Sequence, residues 1–213
     1  MAARGLSIFT AESCHCIVCA VPSSYHHGSL REAVLRRAAE VIAAEGPYLF
    51  SLRSLAADLG VSHTAPRHHF GSREGVLNAL AAEGFRLLAE RLRAAGGDFL
   101  EAGVAYVSFA VDHPGHFQVM FAPTLLDEND PELAAARQGS FDQLRAGVDA
   151  LAAQGRVEDA AAAVIAAWSI VHGLATLALT GNLDSSRIRS LVADGDLLTI
   201  TRRSASLLFR PST

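Results

Sequence analysis

Between Gly60 and Phe70 the chain places a turn glycine, two hydroxyls, three imidazoles and a guanidinium in close order: Gly60-Val61-Ser62, then His63, Thr64, Arg67, His68 and His69. None of these side chains is a strong nucleophile in that setting, but all can hydrogen-bond to base edges or phosphate oxygens. Arginine is the most versatile of them, since its fork fits either a phosphate or the O6 and N7 of guanine. Two flanking stretches suit phosphates. Ser51-Leu52-Arg53 opens one helical pattern and Arg73 opens another, where free backbone amides and a guanidinium combine. His63, Thr64 and His68 are candidates for base edges, and Arg67, Arg73 and the Ser51, Leu52, Arg53 helix start for phosphates, with Ser62, a candidate cap, and His69, at the helix end, in the same candidate DNA-binding set.

Such side chains can act only if short helices aim them. Ser29-Leu30-Arg31-Glu32 has the spacing of a capping box, and Val34, Leu35, Ala38, Val41 and Ile42 repeat at helical steps until Gly46-Pro47. Leu52, Leu55, Ala56 and Leu59 form a second, two-turn stripe that Gly60 closes. With Ser62 as cap, Pro66 falls near the fourth position of the third helix, an awkward but tolerable place. Ser72 starts a long fourth helix carrying Val76, Leu77, Leu80, Leu87, Leu88 and Leu92 on one side, stopped by Gly96-Gly97. Further helical patterns cover 98–112, a short run after Pro114, 131–153, 157–180 and 185–208. Strand signals are scarce, so the fold class is all-α: an N-terminal three-helix bundle with a helix-turn-helix, and a C-terminal helical domain. The expected division is a flexible arm at 1–24, the helix-turn-helix unit at 25–75 and the helical body at 76–213.

Composition narrows the function classes. The 213 residues are 50% hydrophobic and 19% charged, which suits a folded chain rather than a disordered one. Every one of the 18 basic residues is arginine, and the net charge is −4, so no global basic field binds nucleic acid indiscriminately. The charge is uneven, +2 over residues 1–95 and −6 over the remainder. Cys14, Cys16 and Cys19 are the only cysteines and stand beside His15; a disulfide network is excluded, and as zinc ligands their spacing is compressed. No good secretory h-region and no purely apolar run of about 18 residues is present, so a cytoplasmic protein without membrane partner is expected. A phosphate loop after a strand, a nucleophile elbow and a helical H-E-x-x-H motif are all missing, which argues against an enzyme; no catalytic residue, cofactor or metal is assigned.

The stretch from Tyr25 to Leu77, with Gly60-Val61-Ser62, His69-Phe70 and Ser72-Arg73-Glu74, closely resembles the DNA-binding domain of the TetR family of bacterial transcriptional regulators. One departure is Arg67, where the family usually carries a phosphate-touching tyrosine; arginine can take that contact or read guanine instead. His69 and Phe70 can equally be packing residues that fix the fourth helix. The resemblance implies a homodimer on palindromic double-stranded operator DNA, repression as the direction of control, and an unknown small-molecule effector.

The segments Ala105–Phe109, His113–Phe121 and Trp168–Leu174 resemble the effector-domain variant named for its Trp-His-Gly signature. Phe109, Phe117, Met120, Phe121, Trp168 and His172 suit the lining of an apolar pocket, and they equally suit a plain core. Dimerisation is expected through the last two long helices, on Ala160–Ala167 with Ile165 and on Leu191, Leu197, Leu198, Leu207 and Leu208. The competing readings are a metal-binding regulator or sensor using Cys14, Cys16 and Cys19, and a ligand-binding dimer without DNA affinity.

Overall fold

The computed structural model describes residues 27–184 and 196–207, and within them every regular element is helical. The elements are α1 (His27–Glu45), α2 (Leu52–Asp58), α3 (Ala65–Phe70), α4 (Arg73–Ala94), α5 (Phe99–Asp112), α6 (Pro114–Met120), α7 (Pro131–Ala153), α8 (Ala160–Leu179) and α9 (Leu197–Ser206), with 3-10 turns at Pro123–Leu125 and Asn182–Asp184. The Cys14, Cys16 and Cys19 cluster, the expected arm, and Leu191 and Leu208 of the expected dimer face lie outside the described residues.

Two start sites differ from expectation. α1 is already helical at His27, so Ser29 stands inside the helix and is not its cap. α3 begins at Ala65 behind Thr64, not behind Ser62; Pro66 is therefore its second residue, where its missing N–H costs no helical hydrogen bond. Ser62 instead pairs its hydroxyl with that of Thr64 at 3.0 Å. The turn before it works as expected. Gly60 takes φ 65°, and Val61 N–H returns to the Ala56 carbonyl at 3.0 Å, the wrap that lets α2 end and the chain reverse toward α3.

α4 is the axis of the molecule. Ser72 caps it by accepting from Gly75 N–H at 3.1 Å, and eleven of its residues are buried, Val76, Leu77, Leu80 and Leu88 among them. It packs along α7 on one side and against α5 and α6 on another, while α1 lies against both α4 and α6. Asn78, buried on α4, accepts from Asp127 N–H at 3.1 Å and donates toward Asp130 at 3.4 Å, tying the loop before α7 to the axis. α6 sits closest to its neighbours. A side chain at Gly115 would place its Cβ 2.0 Å from the Ala39 carbonyl oxygen, so only glycine lets α6 lie on the backbone of α1.

α5 packs against α8 and α9. The expected 185–208 helix is seen from Leu197 to Ser206. α8 buries Val164, Ala167, Val171 and Ala175 on one stripe and leaves Ile165 59% and Trp168 39% exposed. Its 20 residues carry no charged side chain, and among the described residues it is the one helix long and apolar enough, by length and composition, to cross a membrane; yet only 22% of its most apolar stretch is buried.

Candidate nucleic-acid interface

α2 and α3 are two turns or less, and between them they present the polar residues outward. Arg53, Ser62, His63, Thr64, Arg67 and His68 are exposed, while Leu55, Ala56 and Pro66 face inward. Leu52 and Arg53 of α2 line one surface depression together with His63 and Arg67, so the helix start expected to hold phosphate and the expected reading residues share a face. Ser51 is half-buried and extended, φ −134°, as the residue before α2; its hydroxyl makes no capping bond. His69 is half-buried and tilted against Phe70 with 6.4 Å between ring centres, and the Arg31 guanidinium covers the Phe70 ring at 5.5 Å. That geometry matches the packing alternative for Phe70.

Arg73 departs from its expected role. Its Nε donates to the Phe50 carbonyl at 2.8 Å and its Nη2 to the Pro47 carbonyl at 2.7 Å, with Tyr48 O at 3.5 Å. The guanidinium is thus turned onto the α1–α2 loop and clamps it to the start of α4. Arg37 does similar work on the other side. It donates to Asp58 through two nitrogens, at 2.8 and 3.1 Å, and joins α1 to the end of α2.

A second constellation lies where α5, α6 and α8 meet. Phe117, Trp168 and His172 come together as expected, along with Phe121: His172 stacks on Phe117 at 5.3 Å and meets Phe121 at 4.6 Å and Trp168 at 5.8 Å. The cluster also holds Tyr106, a residue the sequence reading left out. Its hydroxyl lies 2.9 Å from His172 Nδ1 and accepts from Trp168 Nε1–H at 3.3 Å. The signal for it was the polar phenol on a helix otherwise burying aliphatic and phenyl groups. Phe109 and Met120 do not belong to this cluster. Phe109 is fully buried, tilted against His113 with 5.1 Å between ring centres and under the Arg91 guanidinium, and Met120 is 3% exposed, with its sulfur filling the space beside Gly84. Both point from α5 and α6 into the core around α4, a direction helical periodicity alone cannot distinguish from a lining role.

His113 and His116 meet edge to face at 5.6 Å, but His113 Nε2 is occupied by Arg91 at 3.2 Å, and no metal-binding group of three or more ligands occurs among the described residues. Burial, then the Arg91 charge, holds the His113 imidazole below its ordinary value.

Comparison with known proteins bears on the assembly as a whole. Residues 99–194 match the family model described as tetracyclin repressor-like, C-terminal domain. This stretch is identified as a TetR-family C-terminal domain. An uncharacterized HTH-type transcriptional regulator of Mycobacterium tuberculosis is 28% identical over 160 residues, 72% of each chain. A Rhodococcus protein of unknown function superposes with TM-score 0.71 at 31% identity, over 88% of this chain and 97% of its own. A regulatory protein in the TetR family, also from Rhodococcus, gives TM-score 0.67 at 23% identity, over 84% and 95%. The all-helical fold, an N-terminal helix-turn-helix followed by a C-terminal helical domain, is thus that of TetR-family transcriptional regulators, which bind operator DNA and act as dimers.

Proposed function

We propose that this protein is a cytoplasmic repressor that binds a palindromic operator as a homodimer and leaves it when a small apolar effector binds the C-terminal body. The observation that carries the DNA reading is the shared face of Leu52, Arg53, His63 and Arg67, with Thr64 exposed just before α3 and His68 exposed on it. On this reading His63, Thr64 and His68 meet base edges, Arg53 and Arg67 meet phosphates or guanine, Ser51 and Ser62 border the contact, and His69 and Arg73 hold the reader in place.

Dimerisation is supported by the bare apolar side of α8. A second copy covering Ile165 and its exposed apolar neighbours would remove that surface from water, in the symmetric manner usual for soluble homodimers. Two readers can enter successive major-groove faces only when held about 34–36 Å apart, or a multiple of that turn. Control then follows from geometry. α4 runs from the reader to the body, and α6 carries Phe117 of the ring cluster, with Phe121 just past its end, and rests on α1 through Gly115. An effector that shifts α6 biases the position of α1 and the reader, and a coupling of ~1–3 kcal/mol is sufficient for release.

The test is selection of duplexes from a random pool by the full-length protein. Enrichment of an inverted repeat, bound by two chains, is expected. Recovery of no preferred sequence from a folded dimer would overturn the reading in favour of a ligand-binding dimer without DNA affinity.

A further inference from the structure

The hydrogen bonds among Trp168, Tyr106 and His172 have a direction. An indole N–H only donates, so Tyr106 oxygen accepts from Trp168. The phenol hydrogen must then go elsewhere, and His172 Nδ1 is the acceptor 2.9 Å away. The opposite arrangement, with Nδ1–H donating to Tyr106, would leave a buried hydroxyl hydrogen without an acceptor among the described residues, which is the costlier state. A neutral His172 with a bare Nδ1 carries its hydrogen on Nε2. Burial keeps both groups neutral: it raises the Tyr106 phenol well above its ordinary value, with the Trp168 N–H pulling the other way, and lowers the His172 imidazole. No charged side chain contributes to either shift.

The surroundings of that N–H are rings. Phe117 stacks on the imidazole and Phe121 and Trp168 stand edge-on to it, while His172 itself is only half-buried and Trp168 is 39% exposed. No described residue accepts a hydrogen bond from His172 Nε2. We propose that His172 offers a single, orientationally fixed Nε2–H donor to an uncharged, ring-like or otherwise apolar ligand bearing one hydrogen-bond acceptor, with a ketone as the simplest chemistry. This rests on the effector reading above and names the ligand class. A carboxylate is disfavoured because it would be stripped of water beside rings, and among the described residues no charged side chain acts on His172 to offset that cost. Tyr106 acts as a positioning residue: it touches no ligand but sets which nitrogen of His172 carries the hydrogen.

Two measurements test this on the full-length protein. Long-range nitrogen–proton correlation on a histidine-labelled sample at pH 7.5 should show His172 as the Nε2–H tautomer, and Tyr106→Phe should allow exchange between tautomers. A His172 signal of the Nδ1–H form in the wild type would overturn the proposal. Calorimetry with indane, 1-indanone and indane-2-carboxylate should then rank 1-indanone tightest, about five- to tenfold over indane, with the carboxylate weakest. His172→Phe, which keeps the ring, should retain indane binding and lose the ketone preference. Equal binding of indane and 1-indanone by the wild type, or binding of none of the three, would overturn the proposal, and should the variant not fold, the wild-type ranking and tautomer still decide. Wild-type affinity for a selected duplex without probes keeps the two readings apart. Protein that holds its duplex yet shows no ketone preference contradicts this inference and leaves the DNA reading standing.

Discussion

α2 and α3 together bury Leu55, Ala56 and Pro66, whereas α4 alone buries eleven residues. The reader is therefore built from helices too short to be stable alone, presented by a long helix that belongs to the core. It keeps its shape through the Gly60 wrap and through arginines tied back to the chain: Arg73 on the carbonyls of the α1–α2 loop and Arg37, at the surface, on Asp58. The body does the reverse, with apolar surface as its common currency both inside and on the bare side of α8. On the proposed reading, stability and recognition reside in different helices, and substitutions should separate them.

The largest effect is expected in α4. Leu80 is fully buried, and Leu80→Ala should lower global stability by ~3 kcal/mol, read as a lower urea midpoint with unchanged slope. Next comes the hinge of the reader. Gly60→Ala forces a side chain onto a left-handed residue and should lower stability by ~1–2 kcal/mol, and weaken duplex binding by more than the unfolded fraction explains. Equal losses of stability and binding would mean that the turn does not aim the reader.

Smaller and more discriminating is the arginine pair. Arg67→Ala should reduce the salt dependence of duplex binding by about one unit of slope per chain, as loss of a phosphate contact does. Arg73→Ala should weaken binding about tenfold at every salt concentration without changing the slope, because its donors are engaged with carbonyls. A flattened slope for Arg73→Ala would show that it leaves the loop to reach DNA.

The smallest effect is one of pH on the body. Burial depresses the folded-state values of His172 and His113. An imidazole depressed in this way contributes stability that is fully present above its unfolded value near 6.5, and that is lost as pH falls from there through the folded value. The urea midpoint should therefore fall between pH 7.5 and 5.5, and fall less in His172→Phe. An equal fall in both would assign the effect to other groups.

The sequence was most readable where local rules act over a few residues. Gly60-Val61-Ser62 marked the turn, and Ser72 with Glu74 marked the start of α4, because both signals are satisfied within one turn of chain. The start of α3 was misplaced: Ser62 bonds the Thr64 hydroxyl instead of capping, and the helix begins at Ala65, which seats Pro66 in the first turn. Arg73 stands at the start of α4 as expected, but its loop contacts were not legible, since no local pattern shows that Pro47 and Phe50 carbonyls lie within its reach from 23 or more residues away. The ring cluster was half legible for a related reason. Trp168 and His172, four apart on α8, announce a shared helical side, but sorting Phe109 and Met120 from Tyr106 and Phe121 requires knowing how α5 and α6 pack on α4 and α8.

On the proposed reading, a weakly built reader depends on the apolar body to hold two copies at a fixed spacing. Ile165→Glu, on the exposed side of α8, tests it directly when sedimentation and duplex affinity are measured on the same sample. A folded monomer whose affinity for the selected inverted repeat has dropped at least a hundredfold is the result expected, since each half-site must then be held by one reader alone. A monomer that binds the repeat as tightly as the wild type, or a variant that stays dimeric, would contradict the account.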